Sequence, residues 1–208
     1  MFLKDQQSLP MKIEDYIKKH LEESIKVKEI VIKNCLGSIR KASEAVFETY
    51  YKQGGAVFLF GNGGSASDAE HIAEELLNRL KNYRIPISAY ALTSQPAILT
   101  GIANDFGFEK VFSRQLEALA TPKDLVIGLS TSGNSPNVLD GIRLAKMRGI
   151  TTVGMTGKNG GRLAKMTDII IKVPSNDTSL IQEAHTSIGH IICAVVEEML
   201  FGERGFDD

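Results

Sequence analysis

The chain has 208 residues, long enough to bury a substantial core as one large domain or a domain with an extension. Lys and Arg total 24 against 25 Asp and Glu, a formal net charge of -1, so no nucleic-acid-binding or membrane-binding surface is expected. Cys35 and Cys193 lie far apart in apolar helical contexts, which predicts reduced core thiols, and with no signal-peptide core or span of transmembrane length the expected compartment is cytoplasmic.

Residues 1 to about 12 are polar and precede the first helical pattern, so mobility is expected there. From Ile13 to Gln53, apolar residues at Ile13, Ile17, Leu21, Ile25, Ile30, Ile32 and Val46 recur between charges at helical spacing. Leu36-Gly37-Ser38 interrupts them with a C-cap and then an N-cap signature, which predicts two consecutive helices. Residues 1–53 therefore read as a helical extension that buries its apolar surface by oligomerisation, ahead of a body at 54–208. In that body, apolar runs at Ala56 to Phe60, Ser88 to Leu92, Leu125 to Leu129, Thr151 to Thr156 and Ile169 to Val173 alternate with helical segments. Five such runs predict a parallel sheet covered on both faces, with ligands bound at the carboxyl ends of its strands.

The loop after the third run, Ser130-Thr131-Ser132-Gly133-Asn134-Ser135, sets four hydroxyls and a glycine ahead of a helix opening at Pro136. Hydroxyls, backbone N–H groups and a helix dipole converging on one point suit a phosphate, here held mainly by neutral donors; the alternative is a plain turn with one serine as N-cap. The loop after the first run, Gly61-Asn62-Gly63-Gly64-Ser65, has neither GxGxxG spacing nor a GK[ST] ending, and reads as a second wall of the site. On the next helix His71 and Glu75 share one face, with Arg79 a turn further. That spacing suits a divalent transition metal, and it is equally common on solvated helix faces. In the last helix, Gln182, His185 and His190 interrupt an apolar pattern. His190, flanked by Ile188, Gly189, Ile191 and Ile192, is expected to be buried and in need of a partner, whereas His185 points elsewhere and is expected to be solvated. Gln182 and His190 reach one ligand only if their side chains lean together.

These segments, with Ala103-Asn104-Asp105-Phe106-Gly107-Phe108, Thr156-Gly157-Lys158-Asn159-Gly160-Gly161 and Ile181-Gln182-Glu183, occur in an order that resembles the sugar isomerase (SIS) superfamily, and within it the phosphoheptose isomerases, from about Gly54 to Leu200. The resemblance implies a flavodoxin-like three-layer αβα sandwich with a five-stranded parallel sheet behind two N-terminal helices, assembled as a homotetramer with active sites between subunits. It implies isomerisation of sedoheptulose 7-phosphate to D-glycero-D-manno-heptose 7-phosphate, toward the activated heptose of bacterial surface polysaccharide. Asn62, Gly63, Gly64, Asn104 and Asp105 are then substrate residues, Ser130, Thr131, Ser132 and Ser135 hold the phosphate, and one zinc ion (Zn2+) per subunit falls to His71, Glu75, Gln182 and His190. Glu75 and Gln182 also face the substrate on this view. Ala66-Ser67 departs from the family pattern, where a histidine and cysteine can occur, outside the expected site.

Moving a carbonyl between C1 and C2 needs a base, an enediol intermediate and an acid, for which Glu75 and His190 are the candidates, while zinc would act as a Lewis acid. The competing class is a non-catalytic SIS module that binds a sugar phosphate or a replication-initiator protein, which could dispense with the acid, base and metal residues. A further alternative, an arabinose 5-phosphate isomerase, often carries additional domains for which this chain has no room.

Overall fold

The computed structural model describes residues 11–81 and 83–202, so the polar lead-in through residue 10 and the acidic tail from residue 203 lie outside the described residues. Two helices open the chain, α1 (Ile13–Asn34) and α2 (Leu36–Tyr51). Their junction is Cys35, not Leu36-Gly37-Ser38: Gly37 lies inside α2, while the Cys35 thiol is buried and donates to the Lys172 carbonyl at 3.3 Å. The face of α1 that packs on the body is not its isoleucine row. Ser24, Val27 and Val31 turn inward, and Ile13, Ile17, Leu21, Ile25 and Ile32 face outward, because α1 meets the body along a stripe that the isoleucines do not occupy.

The body alternates β1 (Val57–Phe60), α3 (Gly64–Leu77), β2 (Ala89–Ala91), α4 (Pro96–Phe106), α5 (Ser113–Leu119), β3 (Leu125–Ser130), α6 (Pro136–Met147), β4 (Thr151–Thr156), β5 (Ile169–Lys172) and α7 (Thr178–Phe201). All five strands are parallel, in the order β2-β1-β3-β4-β5. Every residue of β1 and β3 is buried, as expected of central strands covered on both faces. Alternation along β1 sends Val57 and Leu59 into a core shared with α1, α2, α3 and α7, and Phe58 and Phe60 into a second core built with α5 and α6, against which α4 also packs. The three-layer αβα sandwich with two leading helices follows from this division, and α1 and α2 belong to the first core.

Both cysteines are buried and unpaired. No described helix is long and apolar enough to cross a membrane. Strand order reverses between β1 and β3, so the crevice where ligands bind in such sheets lies between the loops that follow these two strands.

Candidate active site

Ser130 ends β3 as a buried residue, with its Oγ 2.9 Å from Ser135 Oγ and 3.5 Å from Ser132 Oγ. Ser135 occupies the N-cap position of α6, but its hydroxyl makes no capping bond and turns to Ser130 instead. Gly133 turns the loop at φ +66°, and a Cβ there would stand 2.2 Å from the Gly160 carbonyl oxygen, so only glycine lets the loop after β4 lie this close. Leu163 N–H donates to the Gly133 carbonyl at 3.0 Å and Arg162 N–H to Asn134 Oδ1 at 3.0 Å, which knits the two loops together. Thr131, Ser132 and Asn134 line a depression of about 330 Å³ with Lys158 and Asn159. Lys158 thus brings a cation to a loop that carries none, and its sequence position alone did not reveal that proximity.

Asn62, after β1, exchanges two side-chain hydrogen bonds with Asn137: Asn62 Nδ2 donates to Asn137 Oδ1 at 2.9 Å, and Asn62 Oδ1 accepts from Asn137 Nδ2 at 2.7 Å. Asn137, buried in the first turn of α6, was absent from the sequence candidates, and only its nearness to the hydroxyl loop pointed to it. Gly63 is the N-cap of α3 and provides no side-chain cap. Two uncapped helix N-termini, those of α3 and α6, therefore adjoin this crevice and favour an anion. Asn104 and Asp105 are exposed in the last turn of α4, where Asn104 Nδ2 donates to Asp105 Oδ1 at 2.8 Å.

A second group of residues sits where α3 packs on α7. Glu75 is buried, and its Oε1 lies 3.3 Å from His71 Nε2 and 2.5 Å from His190 Nδ1. The two imidazoles meet edge to face with centroids 4.9 Å apart. One ligand atom from each of His71, Glu75 and His190 falls within 4.8 Å of the others, and Glu75 Oε2 is buried without a hydrogen-bond partner among the described residues. Two imidazole nitrogens and a carboxylate with one orphaned buried oxygen are a donor set that fits a divalent transition ion. Gly189 makes the approach possible, since a Cβ there would lie 2.6 Å from Ile72 Cγ1 on α3.

The helices run side by side in register. Gln182 packs its amide on Gly64, where an added Cβ would be 2.5 Å from Nε2, and Thr186 donates to Asp68 at 2.7 Å. Burial pushes the Asp68 carboxyl above the usual carboxylate range, against the Thr186 hydrogen bond and the nearby His71. His71, Glu75 and His190 are thus brought together within one protomer, whereas Gln182 stands at the far end of α3 from Glu75.

Two expectations for the last helix are corrected. His185 is fully buried, not solvated, with Nε2 3.4 Å from the Thr156 carbonyl oxygen and Nδ1 without a partner among the described residues, and burial pushes its pKa down to about 4. His190 is partly exposed, with 43% of its side chain open to solvent. The reason is the stripe on which each lies: Ile181, His185, Ile188 and Ile192 face the first core, while Gln182, Thr186 and His190 face α3. Arg79 falls beyond the end of α3 at Leu77, exposed and outside the cluster.

A SIS domain model matches residues 19–157. The phosphoheptose isomerase of Aneurinibacillus thermoaerophilus is 47% identical over 192 residues, covering 91% of this chain and 96% of that protein. Phosphoheptose isomerase 2 of Campylobacter jejuni is 47% identical over 196 residues, covering 93% and 96%. The solved structure of phosphoheptose isomerase from Neisseria gonorrhoeae superposes with a TM-score of 0.85 at 34% identity, over 90% of this chain and all of that one.

Proposed function

This chain belongs to the SIS domain family, among its phosphoheptose isomerases, and from that membership and the cluster on α3 and α7 we infer that Glu75 and His190 move the protons of its reaction. The enzyme converts sedoheptulose 7-phosphate to D-glycero-D-manno-heptose 7-phosphate, an intramolecular exchange between ketose and aldose. The carrying observation is a buried carboxylate in direct contact with a partly exposed imidazole, a pair able to take a proton from one carbon and return it to its neighbour through an enediol. His71, Glu75 and His190 would hold a divalent ion, zinc by their donor chemistry, which supplies a Lewis acid for the carbonyl when bound. Ser130, Thr131, Ser132 and Ser135, with Lys158 beside them, hold the phosphate and position the sugar, and Asn62, Asn104 and Asp105 recognise its hydroxyls.

Assembly between copies of the chain completes this reading. Eleven residues of α3 separate Gly64 from Glu75, about 16 Å of helix rise, more than an extended seven-carbon sugar phosphate spans. The phosphate loop and Gln182 of one protomer would therefore serve the acid–base cluster of another, with Gln182 completing the metal's ligands across the interface. The row Ile13, Ile17, Leu21 and Ile25, whose members are 53–75% exposed, supplies apolar surface for a homotetramer in which the helical extension mediates pairing. The expected compartment is the cytoplasm.

Incubation with sedoheptulose 7-phosphate, with and without a chelator, tests the assignment. Turnover that a chelator removes and zinc restores is expected; binding of the sugar phosphate without turnover in the presence of zinc would instead indicate a non-catalytic module.

A further inference from the structure

Between α3 and β2 the chain buries a charge that the proton chemistry does not use. The Arg84 side chain is 1% exposed. Its Nη2 donates to the Glu75 carbonyl at 2.7 Å, its Nη1 to the carbonyls of Leu76 at 2.9 Å and Ile85 at 3.1 Å, and its Nε to Glu197 Oε2 at 3.1 Å. Glu197, 2% exposed on α7, also accepts the backbone N–H groups of Leu80 at 3.1 Å and Lys81 at 3.0 Å. It stands about two turns beyond His190, on nearly the same face of α7.

Two of these carbonyls, those of Glu75 and Leu76, belong to the last turn of α3, where no intrahelical N–H satisfies them and the helix dipole is negative. A guanidinium suits this place because its donors form a rigid fork, so that one side chain fixes several acceptors in direction as well as distance. A buried ion pair is a weak source of net stability, since desolvation offsets much of its attraction. Its directional contacts join the backbone of Glu75 itself to the helix that carries His190.

We propose that Arg84 is a positioning residue of the isomerisation, holding the Glu75 backbone and, through Glu197, helix α7, so that carboxylate and imidazole keep the spacing the proton transfers require. This rests on the roles of Glu75 and His190 given above. The consequence is specific. Loosening the clamp degrades the cluster of His71, Glu75 and His190 and leaves the phosphate loop at the carboxyl end of β3 untouched, so kcat and metal affinity fall together while KM holds.

The experiment compares the unsubstituted full-length chain with Arg84→Lys, which keeps the charge and loses the fork, and with Glu197→Gln, which keeps the shape and loses the charge. Steady-state kinetics with sedoheptulose 7-phosphate are read beside cobalt(II) affinity, followed by visible absorption on metal-free protein. For Arg84→Lys the expected result is a 10- to 100-fold loss in kcat, a similar loss in cobalt affinity and a KM within about 2-fold. Glu197→Gln is expected to shift both in the same direction by a smaller factor. A lowered melting temperature with unchanged kcat and cobalt affinity would reduce the pair to a structural brace and overturn the proposal; if Arg84→Lys does not fold, unchanged values in Glu197→Gln do the same. Absence of turnover in the unsubstituted chain overturns the isomerase assignment instead, leaving the cobalt measurement to decide on Arg84.

Discussion

The crevice between β1 and β3 and the α3–α7 seam hold polar groups of opposite kinds. The crevice is built from loop backbone, uncapped helix N-termini and hydroxyls that touch one another, and Lys158 lines a depression with part of the same hydroxyl loop. The seam is built from side chains alone, a buried carboxylate between two imidazoles on helices that glycine lets approach. On the proposed reading, neutral, preorganised donors would hold the phosphate dianion, while the buried Glu75 carboxylate and the partly exposed His190 imidazole would move the protons. Binding and chemistry are on that reading assigned to different secondary structure, and each is expected to be removable without the other.

The largest expected effect separates them at the seam. Glu75→Gln keeps the shape of the side chain and removes the base, so turnover should fall by about 1000-fold or more, roughly 4 kcal/mol of barrier, with retained binding of the sugar phosphate. His190→Gln should behave similarly. Isothermal titration with sedoheptulose 7-phosphate beside a turnover assay checks both variants; full activity in either would remove that residue from the proton transfer.

The crevice was the more legible of the two regions in the sequence. Its loops are contiguous segments at predicted strand ends, so Ser130 to Ser135 and Gly61 to Ser65 announced themselves by local composition, and all five predicted strands lie in the sheet. The seam depends on which face of a helix turns inward, and α7 is apolar almost all round, so periodicity did not rank His185 against His190 and the two expectations came out exchanged. On α1 the isoleucines at helical spacing point away from the core that Val27 and Val31 enter, which leaves exposed the apolar surface for which pairing with another subunit is expected. Asn137, Lys158 and Arg84 were missed for another reason: Asn137 and Arg84 matter through partners distant in sequence, Asn62 and Glu197, and Lys158 through a depression it lines with the distant Thr131.

His185 joins the two regions, since it rides on α7 and its ring reaches the carbonyl at the end of β4, next to the loop of Lys158. Burial holds its pKa at about 4 against an ordinary 6.5, so the unfolded chain takes up this proton at higher pH than the native chain does. Native stability from this group is therefore complete above about pH 6.5 and is lost as pH falls from there to about 4, by about 3 kcal/mol in all. Denaturant midpoints between pH 7 and 4.5 should drop more steeply for the natural chain than for His185→Gln. Parallel slopes would mean that the imidazole is already protonated or solvated at neutral pH.

The smallest effect probes the crevice and is the sharpest test of the division. Ser135 could have served merely as the N-cap of α6, but its hydroxyl makes no capping bond and faces Ser130 instead. Ser135→Ala removes one neutral hydrogen bond, about 1 kcal/mol, so KM should rise roughly 5- to 10-fold with kcat within about 2-fold. Because the lost contact lies at the phosphate end and the reacting carbons sit at the other, its energy is shared equally by ground and transition states. A fall in kcat at constant KM would show that the loop also sets the orientation of the reacting carbons, and the separation between binding and chemistry would then break down at its binding end.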